Sequence, residues 1–416
     1  MMNRTELKEI VLEQQKSRGT ADLIERDRFR EIGLKINNPF IIVISGMRRV
    51  GKSTLLSQIR DKYPGYYLNF DDERLVNFKL EDFQVLQEIF LELFGKKEFF
   101  YFDEIQNIKG WERFVRRLHD EKKKVFVTGS NASMLSKELG THLTGRYLEI
   151  NLYPFSFLEF LRWKKEEINP KEYYSVETKI KLKEHFEEYL LSGGLPEYLI
   201  TQNKDYLRIL YDNILYRDII VRYGLTNERS LKELIYFVAN NIAKRISFNS
   251  IKKVLQIGSS TTVKDYFGYF ENSFLIFLLN RFDYSLKKQI YSDKKVYLID
   301  TGLAVNLGFR ISKDLGRLLE NLVFIELKRR RKDIYFHSDR QECDFVLREG
   351  IKITAAIQVC AELNDDNRER EIKGLLEALN QFKLIEGLNL TLEQSEEIVH
   401  DGKKIMVMPV FKWLLG

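Results

Sequence analysis

Apolar residues in the early part of the chain come in short runs, each closed by polar residues: Phe40–Ile44, Tyr66–Leu68, Phe99–Phe102, Val125–Val127 and, interrupted by Glu149, Tyr147–Ile150. A strand that is apolar at successive rather than alternate positions is buried on both faces, which is the pattern of a parallel sheet. Between the runs the period changes. Lys52 to Arg60 reads as a helix, and Trp111, Phe114, Val115 and Leu118 recur at helical spacing. Strand alternating with helix predicts a covered α/β sheet. After Phe155 the pattern is helical, through Phe157, Leu158, Phe160 and Leu161, then Phe186, Tyr189, Leu190 and Leu191, up to a turn at Gly193-Gly194. Residues 230–300 have the rhythm of a winged helix: helices 231–244, 249–256 and 260–274, with strands at 274–278 and 295–299. The last region opens on a basic helix, Leu318–Arg331, followed by strands around Ile334–His337, Glu342–Leu347 and Ile353–Val359.

The first strand leads into Gly46-Met47-Arg48-Arg49-Val50-Gly51-Lys52-Ser53-Thr54. Strand, glycine-bounded loop and helix, in that order, make a P-loop. Its main-chain N–H groups and the start of the helix favour phosphate oxygens. Gly46 to Thr54 are therefore the expected nucleotide contacts, Lys52 reaching the β- and γ-phosphates and Ser53 holding Mg²⁺. Asp103 and Glu104 end the run Phe99–Phe102, expected on the neighbouring strand edge, where ligands of open α/β sheets bind. Asp103 fits a second Mg²⁺ ligand and Glu104 a base that orients water. Ser130 and Asn131 follow the Val125 strand. One reading has them touch the γ-phosphate or water; the other makes them caps of a helix 132–139. Arg146 either neutralises phosphoryl charge, from its own or a neighbouring subunit, or forms a surface ion pair.

The 416 residues are 44 % hydrophobic and 31 % charged, an ordinary globular composition with room for several domains. No apolar run is long enough for a membrane span, and the N-terminus lacks a signal-peptide core, so the cytoplasm is the expected compartment. Two cysteines, Cys343 and Cys360, and five scattered histidines suggest neither a disulfide framework nor a zinc site. A net charge of +6 permits a nucleic-acid partner without requiring one. The runs Lys122–Lys124 and Lys328–Lys332 fit such a partner or a solvated surface. In the expected helix-turn-helix, Ser259, Ser260, Thr261, Thr262 and Lys264 crowd the start of the second helix, where DNA or a protein would be met.

Several segments occur together with the P-loop: Phe102-Asp103-Glu104-Ile105-Gln106, Thr128-Gly129-Ser130-Asn131-Ala132, Leu143-Thr144-Gly145-Arg146, Leu152–Phe157, Gly193–Tyr198, Tyr216–Ile220 and Glu342–Val346. In this order the chain resembles the prokaryotic AAA-type ATPases that carry a C-terminal DUF4143 region. The resemblance implies ATP binding, hydrolysis, an AAA-type core, a winged-helix module and a nuclease-like C-terminal fold; with the helical stretch after residue 155 read as a lid, the expected domains are the AAA-type core at 1–155, the helical lid at 156–229, the winged-helix module at 230–300 and the nuclease-like α/β domain at 301–416. Lid hinging would couple nucleotide state to the remainder. The last domain resembles the PD-(D/E)XK nuclease fold. At its four polar positions stand Glu320, Asp344, Gln358 and Cys360, so a metal carboxylate and the lysine are replaced and a degenerate binding fold is expected. The sequence thus points to a Mg²⁺-dependent ATPase with DNA as partner and possible homo-oligomers. An ATP-dependent nuclease and a nucleotide switch that recruits proteins are the alternatives.

Overall fold

The computed structural model describes residues 2–16, 23–131, 140, 143–166, 175–308 and 315–416. The chain divides into two compact units, Met1–Leu152 with Asn272–Phe274, and Tyr153–Glu271 with Leu275–Gly416.

In the first unit the apolar runs become β1 (Ile41–Ser45), β2 (Tyr66–Asn69), β3 (Phe99–Asp103), β4 (Lys124–Gly129) and β5 (Tyr147–Asn151). They form one five-stranded parallel sheet in the order β2-β3-β4-β1-β5. The acidic strand is therefore not beside the P-loop strand: β4 lies between them. A helical crossover can skip a strand position, and nothing in local periodicity records that it does. Among the described residues the unit also carries helices α1 (Arg4–Gln15), α2 (Asp27–Leu34), α3 (Lys52–Lys62), α4 (Asp82–Phe94) and α5 (Trp111–Asp120). The spacing on α5 does what it predicts, since Trp111, Phe114, Val115 and Leu118 are all buried. Phe83 of α4 stacks on Phe114 at 4.3 Å between ring centroids and meets Phe78 edge-on at 5.0 Å. Such pairs add roughly 0.5–1.5 kcal/mol each beyond their buried area. The lysine run before β4 is structural. Lys123 pairs with Glu98, and Lys124 is buried, its ammonium donating to the carbonyls of Asn38 and Phe40 at the entry to β1.

The second unit begins with helices Phe157–Trp163, Val176–Ser192, Pro196–Thr201 and Lys204–Asn213, the last running on as a π-helix over Ile214–Val221. The first opens on a reciprocal cap between Ser156 and Glu159. The Gly193-Gly194 turn has a specific cause. Gly193 has φ +72°, and a Cβ there would lie 2.1 Å from Asp300 Oδ1. The buried Asp300 accepts from the N–H of Gly194 at 2.7 Å and from that of Leu303 at 3.0 Å, capping helix Thr301–Asn306.

Helix Glu228–Asn240, strand β6 (Arg245–Ile246), helices Phe248–Val254 and Ser260–Asn272, strand β7 (Ile276–Asn280), helix Leu286–Tyr291 and strand β8 (Lys294–Leu298) follow in turn. The strands pair antiparallel in the order β6-β8-β7. The strand β6 and the helix between β7 and β8 are additions to the pattern read from sequence; two residues are too few to show a period. Helix Leu315–Arg329 leads to β9 (Asp333–Ser338), β10 (Glu342–Glu349), β11 (Lys352–Val359), β12 (Glu386–Thr391), β13 (Glu396–His400) and β14 (Lys403–Pro409). This is a six-stranded mixed sheet, β13-β14-β12-β11-β10-β9, parallel only at β11–β12 and β12–β14. Helix Arg368–Gln381 lies between β11 and β12 in sequence and carries buried Leu375, Leu376 and Leu379 into the apolar cluster with Cys343, Val346 and Ala356.

Most of the basic run that closes the helix Leu315–Arg329 turns inward. Arg329 bonds Glu326 and the carbonyl of Pro154, Arg330 bonds Glu326 and the carbonyl of Trp413, and Lys332 meets Glu349. The sequence left a nucleic-acid partner and a solvated surface both open for this run; the structure turns Arg329 and Arg330 inward as ties and leaves Lys332 in an exposed ion pair. Cys343 and Cys360 are free and buried. Among the described residues no helix is long and apolar enough to cross a membrane.

Candidate functional site

The P-loop leaves β1 at Ser45 and enters α3 at Lys52. Gly46 is required by space: a Cβ there would lie 2.4 Å from the carbonyl oxygen of Leu152. Gly51, at φ +93°, precedes the helix, and Arg49 takes a left-handed φ of +66° without being glycine. Strain of this kind in non-glycine residues gathers at functional sites. Met47 and Val50 are buried and hold the loop down, while Arg48 reaches to within 3.8 Å of Asp71 beyond β2. Arg26, just before α2, is buried and donates to the carbonyl of Val50 at 2.6 Å.

Lys52 is only 4 % exposed. Its ammonium donates to the carbonyls of Gly46 and Met47, both at 3.1 Å, and lies 3.4 Å from Glu104 Oε1. The P-loop lysine and the acidic pair thus meet across the end of β4. Thr128, at that end, makes the link. Its hydroxyl bonds Asp103 and accepts from the N–H of Glu104 at 2.9 Å. Ser53 also hydrogen-bonds Asp103, and the Tyr67 hydroxyl donates to Asp103 Oδ2 at 3.3 Å. Glu104, with φ +49°, is held by the Gln106 amide at 2.6 Å and the Ser130 hydroxyl at 3.1 Å.

The two carboxylates are driven apart in acidity. Burial, and then the charge of Glu104, raise Asp103 above the ordinary carboxyl range. Burial also pushes Glu104 up, but Lys52, Gln106 and Arg48 outweigh it and the net shift is downward. Glu104 is therefore the more acidic of the two, its charge favoured by the lysine beside it, and Asp103 is the one whose charge burial and its neighbour oppose.

The structure brings together Gly46, Met47, Lys52, Ser53, Asp103 and Glu104. Ser130 joins them through Glu104. Asn131 is fully buried at the end of β4, and the helix it was expected to cap, 132–139, lies outside the described residues. Arg146 is not brought to the site. Tyr147 pairs with Ile41 at the opening of β1, so Arg146 stands at the opposite edge of the sheet, roughly 17 Å of strand away. There its guanidinium lies 3.7 Å from Asp120. The expectation that it reaches phosphate within its own subunit is corrected to a surface ion pair. Parallel strands put every entry on one edge and every exit on the other, and Arg146 precedes its strand. Thr128, Tyr67 and Gln106 were missed as site residues. Their signal was available only as register, because Leu68 aligns with Phe102 and Phe102 with Val127.

Two family models match the chain: an AAA domain over residues 38–161 and the domain of unknown function DUF8612 over residues 183–314. The second stands in place of the DUF4143 region expected from the sequence. An uncharacterized protein of Methanocaldococcus jannaschii is 38 % identical, the match covering 98 % of this chain and 94 % of the relative. The chain belongs to its family. An uncharacterized protein of Haemophilus influenzae is 33 % identical over 90 % of this chain and 94 % of its own length. Among solved structures, AMPPCP-bound DnaA from Aquifex aeolicus matches 63 % of this chain and 91 % of that one, at 15 % identity and a TM-score of 0.25, which carries no argument. The Lys52, Asp103 and Glu104 geometry lies inside residues 38–161, the span that matches the AAA domain model.

Proposed function

We propose that this AAA-domain protein is a Mg²⁺-dependent ATPase. The observation that carries the reading is the convergence of Lys52, Ser53, Asp103 and Glu104 at one sheet edge, with Thr128 bonded to both acids. The donors fit the ion: a hydroxyl and a carboxylate already in contact are hard oxygen ligands of the type Mg²⁺ takes. Bound there, Mg²⁺ would neutralise charge on the β- and γ-phosphates. Lys52 exchanges its loop carbonyls for phosphate oxygens. Main-chain N–H groups from Gly46 to Thr54 and the start of α3 bind the triphosphate tail. Glu104, held anionic by Lys52 and oriented by Gln106 and Ser130, accepts the proton of the attacking water. Phosphate release from ATP by wild type and Lys52→Ala tests the reading; equal turnover would end it.

DNA is the proposed macromolecular partner. The connectivity helix, β6, helix, helix, β7, β8, with a short helix inserted between β7 and β8, supports a winged-helix reading of residues 228–298. Within it Ser259 is spent capping the N–H of Thr262, which leaves exposed Thr261 and Lys264 as the contacts at the helix start. Measuring ATP turnover with and without single- and double-stranded DNA, in wild type and Lys264→Glu, checks the coupling.

A further inference from the structure

Besides Lys52, the P-loop carries a cation that crosses the site. Arg48 follows the exit of β1, and Asp71, 3.8 Å from its guanidinium, follows the exit of β2. In the order β2-β3-β4-β1 those exits are three strand spacings apart, roughly 14 Å. The ion pair spans that gap, so it lies over the ends of β3 and β4, where Asp103, Glu104 and Thr128 meet. Against the burial that raises Glu104, Arg48 acts with Lys52 and Gln106 to lower it, so its charge is felt at the acid pair. Asp71 is a fixed anchor. Its N–H donates to Asn69 Oδ1 at 3.0 Å, and Asn107, three residues after Glu104, donates to the carbonyl of Phe70 at 3.1 Å and reaches Asp71 Oδ1 at 3.4 Å.

At 3.8 Å the Arg48–Asp71 contact is an attraction of charges, too long for a hydrogen bond. A γ-phosphate offers more negative charge than one carboxylate and matches the guanidinium fork with two oxygens. Phosphoryl transfer gathers charge on the γ-oxygens and on the departing bridging oxygen, and an arginine placed there is worth about 10³–10⁵ in turnover. The sequence offered Arg146 for that role, and Arg146 stands at the opposite edge of the sheet. Of the other arginines near the loop, Arg26 is held by the carbonyl of Val50 and Arg49 is exposed. Arg48, by contrast, is the arginine that the fold lays over the acid pair, with only 18 % of its side chain exposed.

We propose that Arg48 is a catalytic residue of the ATPase, neutralising the transferring phosphoryl group from within its own P-loop, and that Asp71 holds it back until a γ-phosphate is bound. The proposal rests on the ATPase reading above and adds to it the side chain that tells ATP from ADP. In the step, the water oxygen bonds to the γ-phosphorus, the bond from that phosphorus to the β–γ bridging oxygen breaks, and its electron pair leaves with ADP. The proton of the water goes to Glu104. Arg48 moves no proton, since a guanidinium stays charged, and supplies only positive charge and hydrogen bonds to the γ-oxygens. ADP has no γ-phosphate, so Arg48 returns to Asp71.

The test uses the full-length protein and two readouts: phosphate release from ATP, and the affinities for ADP and for a β,γ-methylene analogue of ATP, measured by displacing a fluorescent nucleotide. Arg48→Ala should lower turnover at saturating ATP by about 10³-fold, weaken the analogue by about tenfold and leave ADP within about twofold. Asp71→Asn, which removes the restraint, should tighten the analogue by about threefold and leave ADP unchanged. Turnover of Arg48→Ala within about threefold of wild type would overturn the proposal. So would equal losses of ADP and analogue affinity, which mark a tie that shapes the loop, or a weaker analogue in Asp71→Asn. Turnover that Lys52→Ala abolishes and Arg48→Ala leaves intact would sink this inference and keep the ATPase reading, whereas wild type no faster than Lys52→Ala would end both. Should Arg48→Ala lose its fold in circular dichroism, Arg48→Gln and Asp71→Asn still decide it.

Discussion

Glu104→Gln removes one negative charge 3.4 Å from the Lys52 ammonium and preserves the size of the side chain. At an effective dielectric of about 20, two unit charges at that separation attract by roughly 5 kcal/mol, most of which the desolvation of the buried pair offsets. The pair also detains Lys52, which an incoming triphosphate must draw away from Glu104 and from the carbonyls of Gly46 and Met47. Two opposite effects follow. Nucleotide affinity should hold or tighten by up to about tenfold, since a competitor for the lysine is gone. Hydrolysis should fall by about 10²–10⁴-fold, the usual worth of a positioned base. The substituted amide would still accept from the Gln106 amide and the Ser130 hydroxyl through its own carbonyl oxygen, so the loop geometry is expected to survive. The assay pairs a phosphate-release time course with titration of a fluorescent ATP analogue, on the same preparation. Turnover within about threefold of wild type, with intact binding, would refute the assignment of Glu104 as base. Loss of binding together with turnover would refute the claim that the glutamate competes for Lys52.

Three further outcomes follow from the packing. Gly46→Ala puts a methyl 2.4 Å from the Leu152 carbonyl, so nucleotide titration should show binding reduced by about tenfold or more, with α3 helicity retained in circular dichroism. Asn321→Ala strips partners from both the N–H and the carbonyl of Leu298, which its side chain bonds at 2.8 and 2.9 Å; denaturant titration should show a loss of about 2–4 kcal/mol. Asp300 is pushed up to about 6 by burial, against the pull of the N–H groups of Gly194, Leu303 and Gly302 and of Arg329. The folded chain thus keeps a proton that the unfolded chain has already released, and stability from this group falls as pH rises from about 4 to about 6, then levels. Melting temperatures across that window should show the slope in wild type and not in Asp300→Asn.

Much of the first unit was legible in one dimension because its determinants are local. Strands buried on both faces announce themselves as apolar runs, and α5 as a helical repeat. Of the P-loop glycines, Gly51 answers a local demand, its left-handed φ, whereas Gly46 is also required by the carbonyl of Leu152, far along the chain. The same locality explains the failures. Arg146 was placed near phosphate by its neighbours in sequence, yet it enters its strand where the P-loop strand also enters, a full strand length from the site. For the basic runs ending at Lys124 and Lys332 the sequence left a polyanion partner and a solvated surface open; Lys124 and Arg330 instead bind carbonyls of the chain itself, while Lys332 pairs with Glu349 at the surface.

The second unit shows the limit more sharply. Glu320 and Asp344 stood out from sequence, and Gln358 and Cys360 at the matching positions spoke for a degraded set. Lys295, whose ammonium lies 2.9 Å from Glu320 and 2.8 Å from both Glu342 and Asp344, carried no signal, because it precedes Glu320 by 25 positions and lies on a strand of a different sheet. The order of residues alone determined the strands, the phosphate loop and the acidic pair, since each depends on neighbours a few positions away. Folding alone decided which strand separates them, which lysine sits among the three carboxylates, and which cations face solvent. Those outcomes depend on strand order and register, where one skipped position moves a side chain several ångströms and exchanges its partners.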